Sequence, residues 1–318
     1  MKCAQKKIGI LWGGGVGDLL VLRPFVEAAK AATGATPYLL SAALRAPQLL
    51  EELRLDVQTV FLSKRPSEIL EALRVWRGRF ELLYLGPCPR LTTRLLGSLL
   101  QPRRLWSKRH PGCSAYIAEQ IRADIAELGW RQPAKAELPW QITPGAAADA
   151  AAYLVLHPAA GAGWETTRWP PERWRAAIER VLEQTGLGVK LVGVGGEAVF
   201  LRSLADGLPA DRVQLCVDQP LAETAGLIAG SRGVVCHNSG ILHLAALLQQ
   251  KTVCVTGSTS VWWRPGYPWV ANVTSGACSL ACNRRRCPVP GFRARCIMQL
   301  DTDAVWQQMF DHFGLGDQ

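Results

Sequence analysis

The segment Ile10–Leu20 reads Ile-Leu-Trp-Gly-Gly-Gly-Val-Gly-Asp-Leu-Leu, and it joins an apolar run to the first helix-length stretch of the chain. Glycines after a strand let the backbone approach a ligand closely, and the amide groups at a helix start favour negative charge. The dinucleotide motif G-x-G-x-x-G is not completed, because Asp18 stands at its third glycine, and the Gly-Lys-Ser/Thr of a P-loop is missing. The segment therefore predicts a strand, a glycine turn and a helix, with a role for Asp18 other than pyrophosphate binding.

Asp18 itself has two interpretations. A carboxylate that projects from such a turn is a candidate general base. It is equally a residue that caps the helix or complements its dipole. The residues alone leave both open.

The same alternation of strand-length apolar runs and helix-length amphipathic segments continues through both halves of the chain, which is typical of parallel sheets flanked by helices. In the first half we predict strands at Ile8–Trp12, Tyr38–Ser41, Thr59–Leu62 and Leu82–Leu85, and helices near Asp18–Ala32, Pro66–Trp76 and Ala115–Leu128. In the second half we predict strands at Tyr153–His157, Val189–Val194, Val213–Cys216, Gly233–Cys236 and Thr252–Val255, and helices at Pro171–Gln184, Ala198–Ala205, Ala222–Ala229 and Ile241–Gln249.

A linker is predicted between the halves at Gln132–Ala152, which is rich in Pro and Ala. We therefore expect an N-terminal domain at residues 1–145 and a C-terminal domain at residues 146–318, the latter ending in a helix. Two Rossmann-like parallel sheets that face each other place the carboxyl ends of their strands on a central cleft, where ligands of such sheets bind.

The composition predicts a globular cytoplasmic protein. Hydrophobic residues make up 48% of the 318 and charged residues 19%, which leaves ample material for two cores. The glycines from Gly13 to Gly17 interrupt the first apolar run, so a signal peptide is not expected, and no apolar stretch is long enough to span a membrane. The net charge of +10 predicts an acidic partner, but no nucleic-acid-binding motif accompanies it.

Two loops of the second half follow strands and precede helices. In the first, Thr166, Thr167 and Arg168 are candidate ligands of a diphosphate, although the segment also fits a plain surface loop. In the second, Asn238 or Ser239 can cap a helix whose first amides form an anion site, and His243 lies one turn further on. A histidine in such a helix is more often packed and hydrogen-bonded than catalytic.

These segments together resemble glycosyltransferase family 9, the ADP-heptose:lipopolysaccharide heptosyltransferases. The resemblance spans nearly the whole chain and rests on the order and spacing of Ile10–Leu20, His157–Pro158, Arg168–Arg173, Val192–Glu197, Asn238–Ala246 and Gly257–Thr259. It implies a GT-B fold, an acceptor bound by the first domain, a donor bound by the second, and inversion at the anomeric carbon without a catalytic cofactor.

The resemblance also implies roles for individual residues. Asp18 matches the catalytic base, and Glu197 matches the acidic residue that binds the donor ribose. The backbone at Ser239, Gly240 and Ile241 matches the phosphate site. Gly15, Thr166, Thr167, Arg168, Asn238 and His243 complete the expected donor-binding set.

Two departures from the family weaken the identity of the donor. Thr167 stands where the family usually has a Lys that neutralises the leaving diphosphate, and Asn238 stands where many members have Asp. We predict heptose transfer from ADP-heptose to a lipopolysaccharide core or a protein. The alternatives are a nucleotide-sugar binding protein without turnover and a nucleotide-sugar epimerase on the same fold.

Four cysteines form the pattern C-x3-C-x4-C-x8-C within residues 278–296, namely Cys278, Cys282, Cys287 and Cys296. Four thiolates suit a structural zinc or iron site, and iron is known in the related branch that modifies autotransporters. The spacing departs from the usual C-x2-C zinc knuckle, so a set of reduced thiols is the alternative.

Basic residues cluster at Arg103, Arg104 and Lys108–His110, and again at Arg284–Arg286. Such runs are usually solvated surfaces. A basic rim would also suit an anionic glycolipid acceptor, whereas a protein acceptor does not require one. We therefore expect either acceptor, together with a peripheral contact with the inner membrane surface.

Overall fold

The computed structural model describes residues 7–13, 15–41, 47–62, 65–86, 91–107, 115–133, 140, 142, 152–160, 165–278 and 286–316. The chain divides into two compact units, Met1–Pro139 and Trp140–Gln318. Of the predicted linker, only residues 132, 133, 140, 142 and 152 are among those described.

Unit one is a five-stranded parallel sheet with helices between its strands. Its elements are β1 (Ile8–Leu11), α1 (Val16–Thr33), β2 (Tyr38–Ser41), α2 (Pro47–Glu52), β3 (Gln58–Phe61), α3 (Pro66–Trp76), β4 (Leu82–Tyr84), α4 (Leu91–Leu99), β5 (Arg104–Trp106) and α5 (Ile117–Glu127). The strand order is β3-β2-β1-β4-β5, so the chain reverses direction across the sheet between β1 and β4.

Helix α1 follows directly from the glycine turn predicted at the start of the chain. Gly15 is its N-cap, and Gly34 ends it in the left-handed conformation (φ 68°), donating its amide to the Lys30 carbonyl. The side that faces the sheet buries large apolar side chains such as Leu19, Leu22 and Phe25.

Unit two repeats this architecture with six parallel strands. Its elements are β6 (Tyr153–His157), α6 (Pro171–Gln184), β7 (Gly188–Gly193), α7 (Ala198–Ala205), β8 (Val213–Val217), α8 (Leu221–Ala229), β9 (Gly233–His237), α9 (Gly240–Leu247), β10 (Thr252–Val255), β11 (Val270–Val273), α10 (Arg295–Met298) and α11 (Thr302–Phe313). The strand order is β11-β10-β9-β6-β7-β8, with the reversal between β6 and β9.

The prediction of two Rossmann-like parallel α/β sheets is confirmed. Both strand orders follow the doubly wound scheme in which a ligand binds outside the carboxyl ends of the strands, at the reversal point. The sequence pattern does not predict β5, β11, α2, α4 and α10. The last helix, α11, was expected and is present.

Candidate functional site

The reversal points of the two sheets lie at the loops that the sequence analysis singled out. In unit one, the loop after β1 carries Asp18. In unit two, the neighbouring strands β6 and β9 end at His157 and His237, and the loops after them carry the remaining candidates. The topology therefore supplies one ligand-binding edge in each unit.

Asp18 lies in the first turn of α1, where its carboxylate turns back onto the glycine loop. Its Oδ2 accepts a hydrogen bond from the Gly15 amide at 3.1 Å, and its carbonyl accepts one from the Trp12 indole at 2.9 Å. A Cβ at Gly13 would lie 2.6 Å from Asp18 Oδ2, so only glycine leaves room for the carboxylate there. Asp18 thus caps its own helix, as the plainer interpretation expected, while a general base remains a prediction.

Burial raises the pKa of Asp18 above its ordinary value of 3.8, although the hydrogen bond from the Gly15 amide works in the opposite direction. A carboxylate with a raised pKa is a better proton acceptor than one in water. Capping and proton acceptance are therefore compatible in this side chain.

In unit two, His157 bridges two of the predicted site residues, Glu197 and Ser239. Its Nε2 lies 3.7 Å from Glu197 Oε2, and its Nδ1 lies 3.2 Å from Ser239 Oγ. With the ring proton on Nε2, facing the carboxylate, the Ser239 hydroxyl donates to Nδ1. This buried histidine was not among the predicted site residues, and only the adjacency of β6 and β9 reveals its role.

Glu197 ends a three-residue 3-10 turn, Gly195–Glu197, that follows β7. The Val194 amide donates to its Oε2 at 3.0 Å, and the Gly195 amide donates to Asp218 Oδ1 at 2.6 Å. The Glu197 side chain keeps 21% of its surface exposed. Because an ionised carboxylate only accepts hydrogen bonds, it suits a ligand with hydroxyl donors.

The electrostatic surroundings keep Glu197 ionised. Burial alone would raise its pKa, but His157, the Val194 amide and the charge of Arg168 together lower it below the ordinary 4.5. The carboxylate therefore stays negative at neutral and mildly acidic pH.

The start of α9 offers backbone amides beside this carboxylate. Ser239 is the N-cap, and Asn238, Ser239, Gly240 and Ile241 are all partly exposed. The side-chain amide of Asn238 donates a hydrogen bond to the Trp263 carbonyl. The first amides of a helix carry no intrahelical partner and favour an anion.

His243 lies inside the helix rather than at the ligand-binding edge. It is buried, its ring meets that of Trp263 edge-on at 5.7 Å, and burial lowers its pKa to about 4. A neutral packed imidazole is what the plainer interpretation expected.

The loop that holds Thr166, Thr167 and Arg168 divides into a buried and an exposed part. Both threonines are buried, and Thr166 Oγ1 accepts a hydrogen bond from Ser258 at 2.9 Å. A Cβ at Gly257 would lie 2.4 Å from the Thr166 carbonyl, so this loop packs directly against the turn after β10. Arg168 is exposed and donates to the Ala160 carbonyl at 3.2 Å.

A layer beneath the site is built around His237, at the end of β9. Its Nδ1 lies 3.1 Å from the Val255 carbonyl, which makes Nδ1 the protonated nitrogen. Its Nε2 accepts from the Trp169 amide and the Trp174 indole, each at 3.2 Å. Burial lowers the pKa of His237 to about 3, so the ring is neutral and fixes the residues that follow Arg168.

Metal binding by the four cysteines is not supported in the part of the chain that the structure describes. Cys278, Cys287 and Cys296 are partly buried, and Cys282 lies outside the described residues. Within the described ranges, no group of three or more His, Cys, Asp or Glu side chains could hold a metal ion.

Comparison with known families gives a match that lies mainly in unit two. The family model described as glycosyltransferase family 9 (heptosyltransferase) matches residues 126–292, more than half of the chain. Lipopolysaccharide heptosyltransferase 1 of Pseudomonas aeruginosa is 36% identical over 119 residues, which are 37% of this chain and 31% of that protein. The Escherichia coli K12 protein of the same name is 33% identical over 125 residues, 37% of this chain and 36% of that protein. The chain thus matches about a third of the length of these relatives.

Solved structures share the fold over most of the chain. E. coli heptosyltransferase WaaC with ADP-2-deoxy-2-fluoro heptose aligns with a TM-score of 0.63 and 18% identity, covering 96% of this chain and 99% of WaaC. The iron-containing dodecameric glycosyltransferase TibC of enterotoxigenic E. coli aligns with a TM-score of 0.59 and 12% identity, covering 99% of this chain and 77% of TibC.

Proposed function

Since this chain belongs to glycosyltransferase family 9, we propose that it is an inverting glycosyltransferase that moves heptose from ADP-heptose to a lipopolysaccharide core or a protein acceptor. The observation that carries the proposal is the contact of His157 with both Glu197 and Ser239, at 3.7 and 3.2 Å. This contact holds the Glu197 carboxylate, which suits hydroxyl groups, and the start of α9, which suits phosphates, at the same edge of one sheet.

The nucleotide part of the donor is assigned to unit two. The ribose hydroxyls donate hydrogen bonds to the Glu197 carboxylate, which its surroundings keep ionised. The diphosphate accepts hydrogen bonds from the amides of Ser239, Gly240 and Ile241 at the start of α9. Stabilisation of the leaving diphosphate is assigned to Arg168. Its side chain is exposed, whereas the two threonines beside it are buried.

The chemical step in this proposal is a direct displacement. The acceptor oxygen forms a bond to the anomeric carbon as the bond from that carbon to the diphosphate oxygen breaks, and ADP leaves with the bonding electrons. The acceptor hydroxyl gives its proton to the Asp18 carboxylate. Support comes from the raised pKa of Asp18, which makes its carboxylate a stronger proton acceptor than that of an ordinary aspartate.

The identity of the donor sugar depends on Asn238, whose amide donates to the Trp263 carbonyl. An amide in place of a carboxylate changes which sugar hydroxyls can be held, because it offers donors as well as an acceptor. We propose heptose as the sugar from the family, and we name Asn238 as the residue that decides the preference among sugars.

The partners proposed are an anionic glycolipid or a protein as acceptor, with the chain in the cytoplasm and in peripheral contact with the inner membrane. The net charge of +10 supports an anionic partner. Within the described residues, no helix is long and apolar enough to cross a membrane.

Release of ADP from ADP-heptose, with and without core glycolipid or protein acceptors, tests this function. We expect release only with an acceptor, in step with the glycosylated product. Tight ADP binding without release would instead favour a binding protein that lacks turnover, for which Thr167 at the usual Lys position is the motivation. An altered sugar and free nucleotide without any acceptor would favour an epimerase.

Replacing Glu197 by glutamine should weaken ADP binding by about tenfold, because a charge-assisted hydrogen bond to the ribose is lost while the shape is kept. Isothermal titration of ADP measures this. Glu183→Gln, an exposed position on α6, is the matched control and should leave the affinity unchanged. Equal affinities for both variants would remove Glu197 from the donor site.

A structural iron or zinc bound by Cys278, Cys282, Cys287 and Cys296 remains part of the proposal on the strength of their spacing. The described thiols do not form a metal-binding group, so no step of the transfer is assigned to a metal. We expect about one metal ion per purified chain and its loss in the Cys278→Ser/Cys287→Ser variant. A content near zero in both proteins would end this part of the proposal.

A further inference from the structure

Helix α4 of unit one carries leucines on its solvent side. Leu91, Leu95 and Leu99 recur at every fourth position and are 72%, 56% and 56% exposed. The opposite side of the helix packs closely on the sheet, since a Cβ at Gly97 would lie 2.9 Å from Leu85 and 3.2 Å from Leu105. Leucines therefore lie on both sides of α4: Leu96 packs on the core, and an apolar stripe faces outward.

Basic residues accompany this stripe. The segment from residue 82 to residue 118 contains no Asp or Glu, but it includes Arg90, Arg94, Arg103, Arg104, Lys108 and Arg109. Leu105 and Arg104 on the edge strand β5 are exposed, and the Arg104 guanidinium lies 4.9 Å from the Trp106 ring centre. Glu81, just before the segment, lies 3.4 Å from Arg103 at the rim.

Leucines bordered by arginines match an anionic lipid surface better than a second copy of the chain. In a twofold dimer the surface meets its own copy, so Arg103 and Arg104 would face a second basic surface, which Glu81 offsets in part. A bilayer with acidic headgroups instead accepts the leucines at the acyl boundary and the arginines at the phosphates.

We infer that the α4–β5 surface, formed by Leu91, Leu95, Leu99, Arg103 and Arg104, docks unit one on an anionic membrane. The inference gives the peripheral contact of the proposed function a surface of its own. It is separate from the transfer chemistry, and neither Asp18 nor the nucleotide site belongs to this surface.

Vesicle co-sedimentation of the full chain tests the surface. We expect binding to vesicles of phosphatidylglycerol and phosphatidylcholine in equal parts, and little binding to phosphatidylcholine alone. The Leu95→Ser/Leu99→Ser variant should bind about tenfold more weakly because apolar contact is lost. The Arg103→Gln/Arg104→Gln variant should lose about fivefold per arginine, and added salt should reproduce that loss.

Matched controls are exposed residues of unit two, Leu215→Ser on β8 and Arg202→Gln on α7, which should bind like the parent chain. Circular dichroism and melting temperature verify that each variant is folded, and ADP binding reports separately on the nucleotide site. The inference is overturned if the parent chain ignores anionic vesicles or if the controls weaken binding as much as the α4–β5 variants. A change of oligomeric state in the leucine variant, without lipid binding by the parent chain, would assign the surface to self-association and likewise overturn it.

Discussion

The Asp18→Asn variant should turn over its donor about a hundredfold more slowly, or worse, while binding ADP almost as well as the parent chain. Asparagine has the shape of aspartate, and its side-chain oxygen can still accept from the Gly15 amide. It cannot take a proton from an attacking hydroxyl. The loss should therefore fall on turnover and spare nucleotide affinity, a split that a folding defect would not produce.

The pH profile supplies a second readout for the same residue. Because burial raises the pKa of Asp18, the ionised base accumulates only as the pH rises through that higher value. In a plot of turnover against pH, the fall in activity at low pH should occur at a higher pH than for a base of ordinary aspartate pKa. Glu27→Gln, which removes an acid of α1 that pairs with Arg23, is the control and should change neither turnover nor the pH at which it falls. Near-normal turnover in Asp18→Asn would refute the base assignment.

His237→Ala should be the most destabilising substitution in unit two, at about 4 kcal/mol. It removes a buried ring and the hydrogen-bond partner of the Trp169 amide, the Trp174 indole and the Val255 carbonyl. Chemical denaturation at neutral pH measures the loss. His312→Ala, which removes a partly buried ring from α11, should cost clearly less.

The same residue predicts how stability depends on pH. The pKa of His237 is about 3 in the folded chain, below its ordinary 6.5, so the unfolded chain takes up the proton first. Its contribution is complete above about pH 6.5 and falls by about 1.4 kcal/mol per pH unit as the pH drops toward 3. His243, with a pKa of about 4, acts in the same direction. A His237→Gln variant should show a slope shallower by one proton, and an unchanged slope would contradict the assignment of a neutral ring.

The sheets could be predicted from the sequence wherever a strand is a buried apolar run. Tyr38–Ser41, Tyr153–His157 and Thr252–Val255 agree with the structure at both ends. β5 was not predicted because its three residues are mostly exposed at the edge of the sheet and include Arg104. α4 was not predicted because leucines lie on both sides of the helix, so its sequence lacks the apolar periodicity of an amphipathic helix.

The sequence predicts individual site residues better than it predicts the contacts between them. Glu197 was predicted from the family resemblance and Ser239 from its place before a helix. The contact of His157 with both residues depends on the pairing of β6 with β9, which the sequence does not display. Thr166 and Thr167 were predicted as phosphate ligands because hydroxyls in such a loop suit that task, and this stays a prediction. Their burial follows from contact with the turn at Gly257, more than eighty residues away.

That contact at Gly257, together with the one at Gly13, limits how the proposed donor preference of this chain can be redesigned. At both positions the backbone itself makes room for a neighbouring group, the Thr166 carbonyl in one case and the Asp18 carboxylate in the other. Mutagenesis libraries should keep Gly13 and Gly257 unchanged. They should vary the exposed Val194 and Val199 near Glu197, where new side chains displace solvent.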